Sequence, residues 1–263
     1  MIQAISSAVP SIPALKHLVE EIRVVVPAVR GSFDRLERLP DGTVSLLFRM
    51  IECDEAGNAS RGDLIVAGPR TRALHKIVRS IPLALFVRLR PGAAFPIFGV
   101  PADKLTDRII RLEELWGSEG AKLRDRLLSP GGIHERLDLL QKELHVRAIR
   151  AREPSSAPVA KRALRLITES RTPVRVNELA TSIGVSARHL RRTFTALVGV
   201  GPKEFARMIR FQRAASAAAS GTTWTKIALD AGYYDHAHMI GDFQALVGTT
   251  PEAFLARPPS HRW

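Results

Sequence analysis

The chain of 263 residues contains one cysteine, Cys53. A lone thiol excludes a disulfide framework and a cysteine-based zinc site, and it suits a reducing cytosol. Long apolar runs are missing too: none approaches the roughly 18 residues that a membrane span requires. The first twenty residues, MIQAISSAVPSIPALKHLVE, lack a basic segment followed by an apolar one, so no secretion signal is read there. Cytoplasmic localisation without a membrane partner is the expectation. Neither GxGxxG nor GxxxxGK[ST] occurs, so two common phosphate-binding fingerprints are absent. The N-terminal histidines His17, His75, His134 and His145 stand in no HxH or HxxxH spacing. That spacing is what a metal-dependent barrel enzyme would need, and a DNA-repair fusion with a nucleophilic cysteine would have to activate Cys53 with a neighbouring base. No catalytic residue, metal or cofactor is assigned.

Acidic residues are the other shortage. The chain has 39 Lys and Arg against 26 Asp and Glu, a net charge of +13 and a pI near 10.9. Such a balance points to a polyanionic partner, nucleic acid or an anionic membrane. Residues 1–150 carry 23 basic against 18 acidic side chains, and residues 151–263 carry 16 against 8, so the signal concentrates in the C-terminal part.

What is present divides at AREPSSAPVAK, 151–161, a Pro-, Ser- and Ala-rich stretch expected to be a linker over 151–160. Upstream, IRVVVPAV, TVSLLFRMI, DLIVAG and IPLALFVRL are short apolar runs punctuated by PDG at 40–42, EAGN at 55–58, GPR at 68–70 and PGA at 91–93. Short strands at this spacing predict an antiparallel sandwich or barrel. From about residue 112 the period becomes helical, with Leu123, Leu127 and Leu128 on one stripe and Leu137, Leu140 and Leu144 on another. These stripes are either core or a homodimer interface. Downstream of the linker the chain reads as short helices with Gly, Ser, Thr or Asp at the junctions. The fold class is therefore α+β. A β-rich domain spans 1–150 and is helical from about 112. An all-α domain spans 161–263.

Near the C-terminus, YYDHAHMIGDF at 233–243 looks at first like a metal or catalytic cluster, because Asp235, His238 and Asp242 share one side of a helical wheel. The stretch has a twin, however. SARHLRRTFTALVGVGPKEF, 186–205, aligns without gaps with DHAHMIGDFQALVGTTPEAF, 235–254, and ELATSIG at 178–184 has its counterpart in KIALDAG at 226–232. His238 matches His189, but Ser186 and Thr193 stand where the second copy has aspartates. A histidine repeated without its carboxylates is a frame residue more readily than a ligand. Each unit reads as helix, short turn, helix, glycine stop and a Pro-started helix, which is a helix-turn-helix. The motifs are expected at about 176–198 and 224–247, with Ser186 and Asp235 as N-caps. The second turn is one residue longer, Tyr233 and Tyr234 standing against Val185.

Two such motifs in tandem, in a basic helical segment, resemble the DNA-binding domain of the AraC/XylS family of bacterial transcription regulators. The resemblance rests on ELATSIGVSARHLRRTF, RFQRA at 210–214 and ALDAGYYDHAHMIGDFQALVGTTPEAF. The upstream PDGTVSLLF and RLRPGAAFPIFGVPADKLTDRIIRLEELWG resemble the N-terminal domain of a less-described branch of that family. The resemblance implies double-stranded DNA as partner, RNA polymerase as a further partner and a small-molecule effector on the N-terminal domain. Motifs in adjacent major-groove segments would lie about 34 Å apart, so one protomer would cover close to 20 base pairs.

On a wheel of 100° per residue, Arg188, Arg191, Arg192 and Thr195 face away from Leu190, Phe194 and Leu197. Arginine pairs bidentately with guanine, so these positions are expected at base edges. The matching positions in the second copy are Ala237, Ile240, Gly241 and Gln244. The family usually has an arginine where Gly241 stands. With His236 beside them, Gln244 can reach a base edge, and Ala237 and Ile240 a thymine methyl. The expectation is asymmetric readout, dominated by the first motif. Arg175, Ser186, Lys203, Arg207 and Lys226 are expected at phosphates.

Overall fold

A computed structural model of the chain describes residues 5–26, 33–54, 59–218, 222–257 and 261–262. The expected turn EAGN at 55–58 and residues 27–29 of the first apolar run lie outside these.

The N-terminal part is built on two sheets. The larger orders its strands β1 (Ile5–Val9), β2 (Val19–Val26), β7 (Leu83–Leu89), β4 (Ser45–Cys53), β5 (Ala59–Ala67) and β8 (Ile109–Arg111), all antiparallel. Its alternation sets the core. In β4, Leu46, Phe48 and Met50 point inward, and across from them stand Leu85 and Val87 of β7 with Leu64 and Val66 of β5. Strand β7 is buried along nearly its whole length, as a central strand with both faces covered must be. The smaller sheet places β3 (Phe33–Arg38) between β6 (Leu74–Arg79) and β9 (His261–Arg262). Strand β9 runs parallel to β3, with Leu36 opposite His261, so the chain's C-terminal end is held on the N-terminal domain.

Helices α2 (Leu112–Trp116) and α3 (Ser118–Leu128) pack on the large sheet, and α4 (Ile133–Arg150) lies against α3 and against α1 (Ala94–Phe98). Leu123, Leu127, Leu137, Leu140 and Leu144 are buried in the same core as the strands, and Leu128 packs against it. Of the two readings of the leucine stripes, core and dimer interface, these leucines take the first, since their apolar area is spent inside the domain. Arg136 explains the sharp reversal at SPGG. Its buried guanidinium donates to the carbonyls of Leu127 at 2.8 Å, Ser129 at 3.1 Å and Gly131, satisfying the open end of α3.

Helix α5 (Ala157–Glu169) begins inside the stretch read as linker, leaving 151–156 between α4 and α5. Next come α6 (Val176–Ile183), α7 (Ala187–Val198), α8 (Pro202–Ala217), α9 (Trp224–Ala231), α10 (His236–Val247) and α11 (Pro251–Leu255). Two small cores result. Phe194 meets Phe205 at 5.7 Å in the first, and Phe211, Phe243 and Phe254 form an edge-to-face triangle in the second. Helix α8 serves both, with Phe205 in one core and Phe211, nearly two turns on, in the other.

Candidate nucleic-acid interface

The pairs α6–α7 and α9–α10 are the two helix-turn-helix units. Gly184 and Gly232 end α6 and α9 in the left-handed region, at φ +83° and +89°, which any side chain would strain. Ser186 Oγ accepts the His189 amide at 3.2 Å and Asp235 Oδ1 accepts the His238 amide at 2.7 Å, so both act as N-caps. The frame residues of the repeat are therefore the residues that start and stop its helices.

Helix α7 separates its faces sharply. Leu190 and Phe194 are fully buried and Leu197 nearly so, while Arg188, Arg191 and Arg192 are exposed. Among the described residues none of these three guanidiniums has an acidic partner. Thr195, expected beside them, is half-buried. Helix α10 differs. Ala237, Gly241 and Gln244 are exposed and Ile240 and His236 half-buried, with no arginine on this face. His236 lies 3.8 Å from Glu252 of α11. A Cβ added at Gly241 would meet nothing within 4 Å, so that position faces open space.

The expected phosphate contacts fall into two groups. Lys203 is exposed beside the N-terminus of α8, and Ser186 caps α7. The other three already have carboxylate partners: Arg175 with Glu178 at 3.0 Å, Lys226 with Asp230 at 3.1 Å, and Arg207 with Asp242 at 2.6 Å. The first two pairs are exposed and exchange easily with solvent or phosphate. The Arg207 pair is not of that kind. Asp242 is 6% exposed and also receives Arg210 at 3.5 Å.

Asp242 thereby acquires a role that the sequence reading missed. Its carboxylate locks α10 to α8 instead of joining Asp235 and His238. Asp235 is occupied in capping, and the exposed His238 stands edge-on to the Tyr233 ring at 5.3 Å. Arg210 lies over the same Tyr233 ring, at 5.4 Å. Burial, reinforced by Asp242, pushes the Tyr233 phenol well above its ordinary range, so it stays protonated. One signal could have found the clamp. Asp242 precedes the core residue Phe243 where the first copy has Thr193, and a carboxylate turned inward requires a cation.

The N-terminal domain grips both units at their far ends. Thr106 Oγ1 donates to the Gly199 carbonyl at 2.7 Å, and the Ala73 amide donates to the Leu246 carbonyl at 2.8 Å. Gly199 has φ +93°, and a Cβ there would fall 2.6 Å from Pro69 and 2.8 Å from Thr106. A Cβ at Gly42 would likewise fall 2.8 Å from the ring of Phe205. Gln212 Nε2 donates to the Pro40 carbonyl at 3.1 Å, and Arg257 pairs with the buried Glu37 at 3.4 Å. The N-terminal contacts thus reach α7, α8 and α10 together.

The enzyme alternatives gain no support from their residues. Cys53 Sγ lies 3.2 Å from the thioether of Met50, and His75 faces Glu37 at 3.4 Å. Among the described residues no group of three or more metal-ligating side chains comes together, and no described helix is long and apolar enough to cross a membrane.

Residues 179–257 match a helix-turn-helix domain family, and residues 8–111 match a domain of unknown function (DUF6597). None of the curated proteins is similar to this chain. Among solved structures, an AraC-type transcriptional regulator from Chromobacterium violaceum is 25% identical at TM-score 0.35, over 40% of this chain and 97% of its own. The C-terminal domain of AraT, a response regulator from Geobacillus stearothermophilus, is 20% identical at TM-score 0.38, over 41% and 93%. ToxT from Vibrio cholerae is 11% identical at TM-score 0.44, over 89% and 96%. Likenesses this distant leave the weight on the two family matches and on the geometry. The chain carries a helix-turn-helix domain at its C-terminal end, behind an N-terminal domain of unknown function.

Proposed function

We propose that this protein is a sequence-specific, effector-responsive transcription regulator that reads double-stranded DNA chiefly through α7. One observation carries the reading. Arg188, Arg191 and Arg192 project from one side of α7 without acidic partners, while the opposite side is buried in the domain core. Three unmatched guanidiniums on a recognition helix repel one another until a polyanion neutralises them. Each is shaped for bidentate contact with guanine O6 and N7. Thr195 completes that face.

Helix α10 plays the lesser part in base readout. Gln244 and His236 offer polar contacts, Ala237 and Ile240 offer methyl contacts, and Gly241 offers none. Lys203, Ser186, Arg175 and Lys226 hold phosphates, the last two by exchanging their exposed carboxylate partners for the backbone. Arg207 drops out of that set because Asp242 retains it. The bonds from Thr106 and Ala73 to the ends of α7 and α10 give the N-terminal domain a purchase on both motifs, which suits a sensor whose state sets their relative placement. The regulator acts in the cytoplasm and RNA polymerase is its further partner.

Genome-wide mapping of bound sites with the full chain tests the proposal. The expected result is an asymmetric motif with one strongly constrained, G-containing half and one weakly constrained half, a helical turn apart. Binding without sequence preference would make the protein an architectural DNA binder instead.

A further inference from the structure

Helices α1, α2 and α4 and the start of the interdomain segment enclose a cleft of about 600 Å³ on the N-terminal domain. That volume falls within the range of small-molecule sites. Its walls are apolar where they are buried, with Pro96, Ile97, Phe98 and Trp116 among them. Phe98 and Trp116 stand 6.2 Å apart with their rings tilted by 34°. The rim is cationic. Arg147 lies over the Trp116 ring at 4.2 Å, and Arg150 and Arg152 are exposed beside it.

Two features of this cleft are unspent. The first is charge. Glu143 and Glu119 also line it, but Glu143 is paired with Arg126 at 2.9 Å and Glu119 with Lys122 at 3.0 Å, both of which lie outside the lining. Lys122, and after it Arg147 and Arg150, hold the Glu119 carboxyl below its ordinary range. Among the described residues no carboxylate lies within ion-pair distance of Arg147, Arg150 or Arg152, and Glu119 acts on the first two only from farther off. The partial negative charge at the end of α4 accounts for about half a charge of this cluster and does not reach Arg152, which lies beyond the helix. The second feature is a donor. Trp116 is 8% exposed, and its indole Nε1 is buried without a hydrogen-bond partner. A buried donor left unmet costs about 1–3 kcal/mol, so an acceptor supplied by a ligand is strongly favoured.

We propose that this cleft is an effector site for a small organic carboxylate with an apolar body. The carboxylate lies among Arg147, Arg150 and Arg152, the Trp116 ring turns to bring its buried Nε1–H to it, and the apolar body packs along Phe98 and Ile97. The site lies outside the strands of the β-rich domain and is wired to the DNA-binding half in two ways. Ala151 and Arg152 belong to the segment that joins the domains. Helix α1, one wall of the cleft, packs on both α4 and α7, and Gly92 just before it lies against Leu197 of α7. A ligand that draws Arg152 inward or shifts α1 therefore bears on the recognition helix. This inference deepens the effector-responsive part of the proposed function.

The test is a titration of the full chain, without DNA, with sodium phenylacetate and sodium octanoate, and with phenylacetamide and octan-1-ol as neutral controls. Calorimetry reads affinity and the indole N–H resonances read the contact, Trp116 being identified by the signal lost in Trp116→Phe. Saturable binding of at least one carboxylate, a shift of the Trp116 indole signal and weakening by about tenfold or more in the Arg150→Gln, Arg152→Gln double variant support the site. The double variant alters only exposed side chains and decides the matter alone if Trp116→Phe does not fold. The proposal is overturned if neither carboxylate saturates by about 10 mM, if the neutral controls bind as tightly, or if the double variant stays within about twofold of the parent. Because no DNA is present, any of these results leaves the DNA-binding reading standing, and a protein that bound its carboxylate but no DNA would overturn that reading alone.

Discussion

The hydroxyl of Thr106, in the N-terminal domain, donates to the carbonyl of Gly199 at 2.7 Å, at the residue that ends recognition helix α7. The acceptor is one of the orphan carbonyls of a helix C-terminus, which need a partner from outside the helix. The N-terminal domain supplies it across 93 residues of sequence. Thr106→Val keeps the shape and removes the donor. The expected cost is about 1–2 kcal/mol, seen as a Tm lowered by about 2–4 °C per kcal/mol and as faster amide exchange at the end of α7. Unchanged exchange there would show that the bond contributes nothing to docking.

Asp242 offers a sharper energetic test. Its carboxylate receives Arg207 and Arg210 in a largely buried site, and Asp242→Asn leaves two guanidiniums facing an uncharged amide. Breaking a buried pair costs about 3–5 kcal/mol, and the low end applies because Arg207 keeps 28% of its side chain in solvent. The second helix-turn-helix should melt earlier, followed by circular dichroism, and DNA affinity should fall with it as α10 loses its seat on α8. A melting temperature within a degree of the parent's would remove the clamp from the account.

The two recognition helices should respond differently to substitution. Arg192→Ala is expected to cost about 1–3 kcal/mol of discrimination at one base pair and to relax the sequence preference there. Ala237→Ser on α10 should change affinity by less than about 0.5 kcal/mol. Both are measured by titration against an operator and its single-base variants at one salt concentration. Equal losses from the two would refute the asymmetry.

The repeat made the DNA-binding half readable in the sequence. Gly184, Gly232, Ser186, Asp235 and the shared Phe194 and Phe243 carry local rules of helix starts, stops and facing, and the helices lie where those rules put them. The β-rich half was readable in kind, because Leu46, Phe48 and Met50 alternate as a half-buried strand must. Long-range partnerships were not. Nothing near Thr106 points to Gly199, and nothing near Asp242 points to Arg207, 35 residues away. The leucines of α3 and α4 were ambiguous for the same reason. A buried stripe and an interface stripe share one period, and only the core that Leu127 and Leu140 join together with the strands decides between them. Trp116 and Arg147 likewise meet only once α2 and α4 are folded together.

Gly241 gives the last prediction and the most direct one about DNA. It occupies the centre of an exposed helical face where its counterpart in α7 is Arg192, and a side chain there would enter open space. Two effects can then be separated. Gly241→Ala removes the backbone entropy of a mid-helix glycine and should raise stability by about 0.5–1 kcal/mol without altering DNA affinity by more than about twofold. Gly241→Arg adds to that gain a guanidinium on the face of α10 that has none. Binding should tighten, and the slope of log K against log salt should steepen by about 0.9 if the new arginine finds a phosphate. If it finds a base edge instead, the weakly constrained half of the operator should acquire a preferred guanine worth about 1–3 kcal/mol. A stable Gly241→Arg variant with neither change would mean that α10 stands away from the DNA, and that the first motif binds alone.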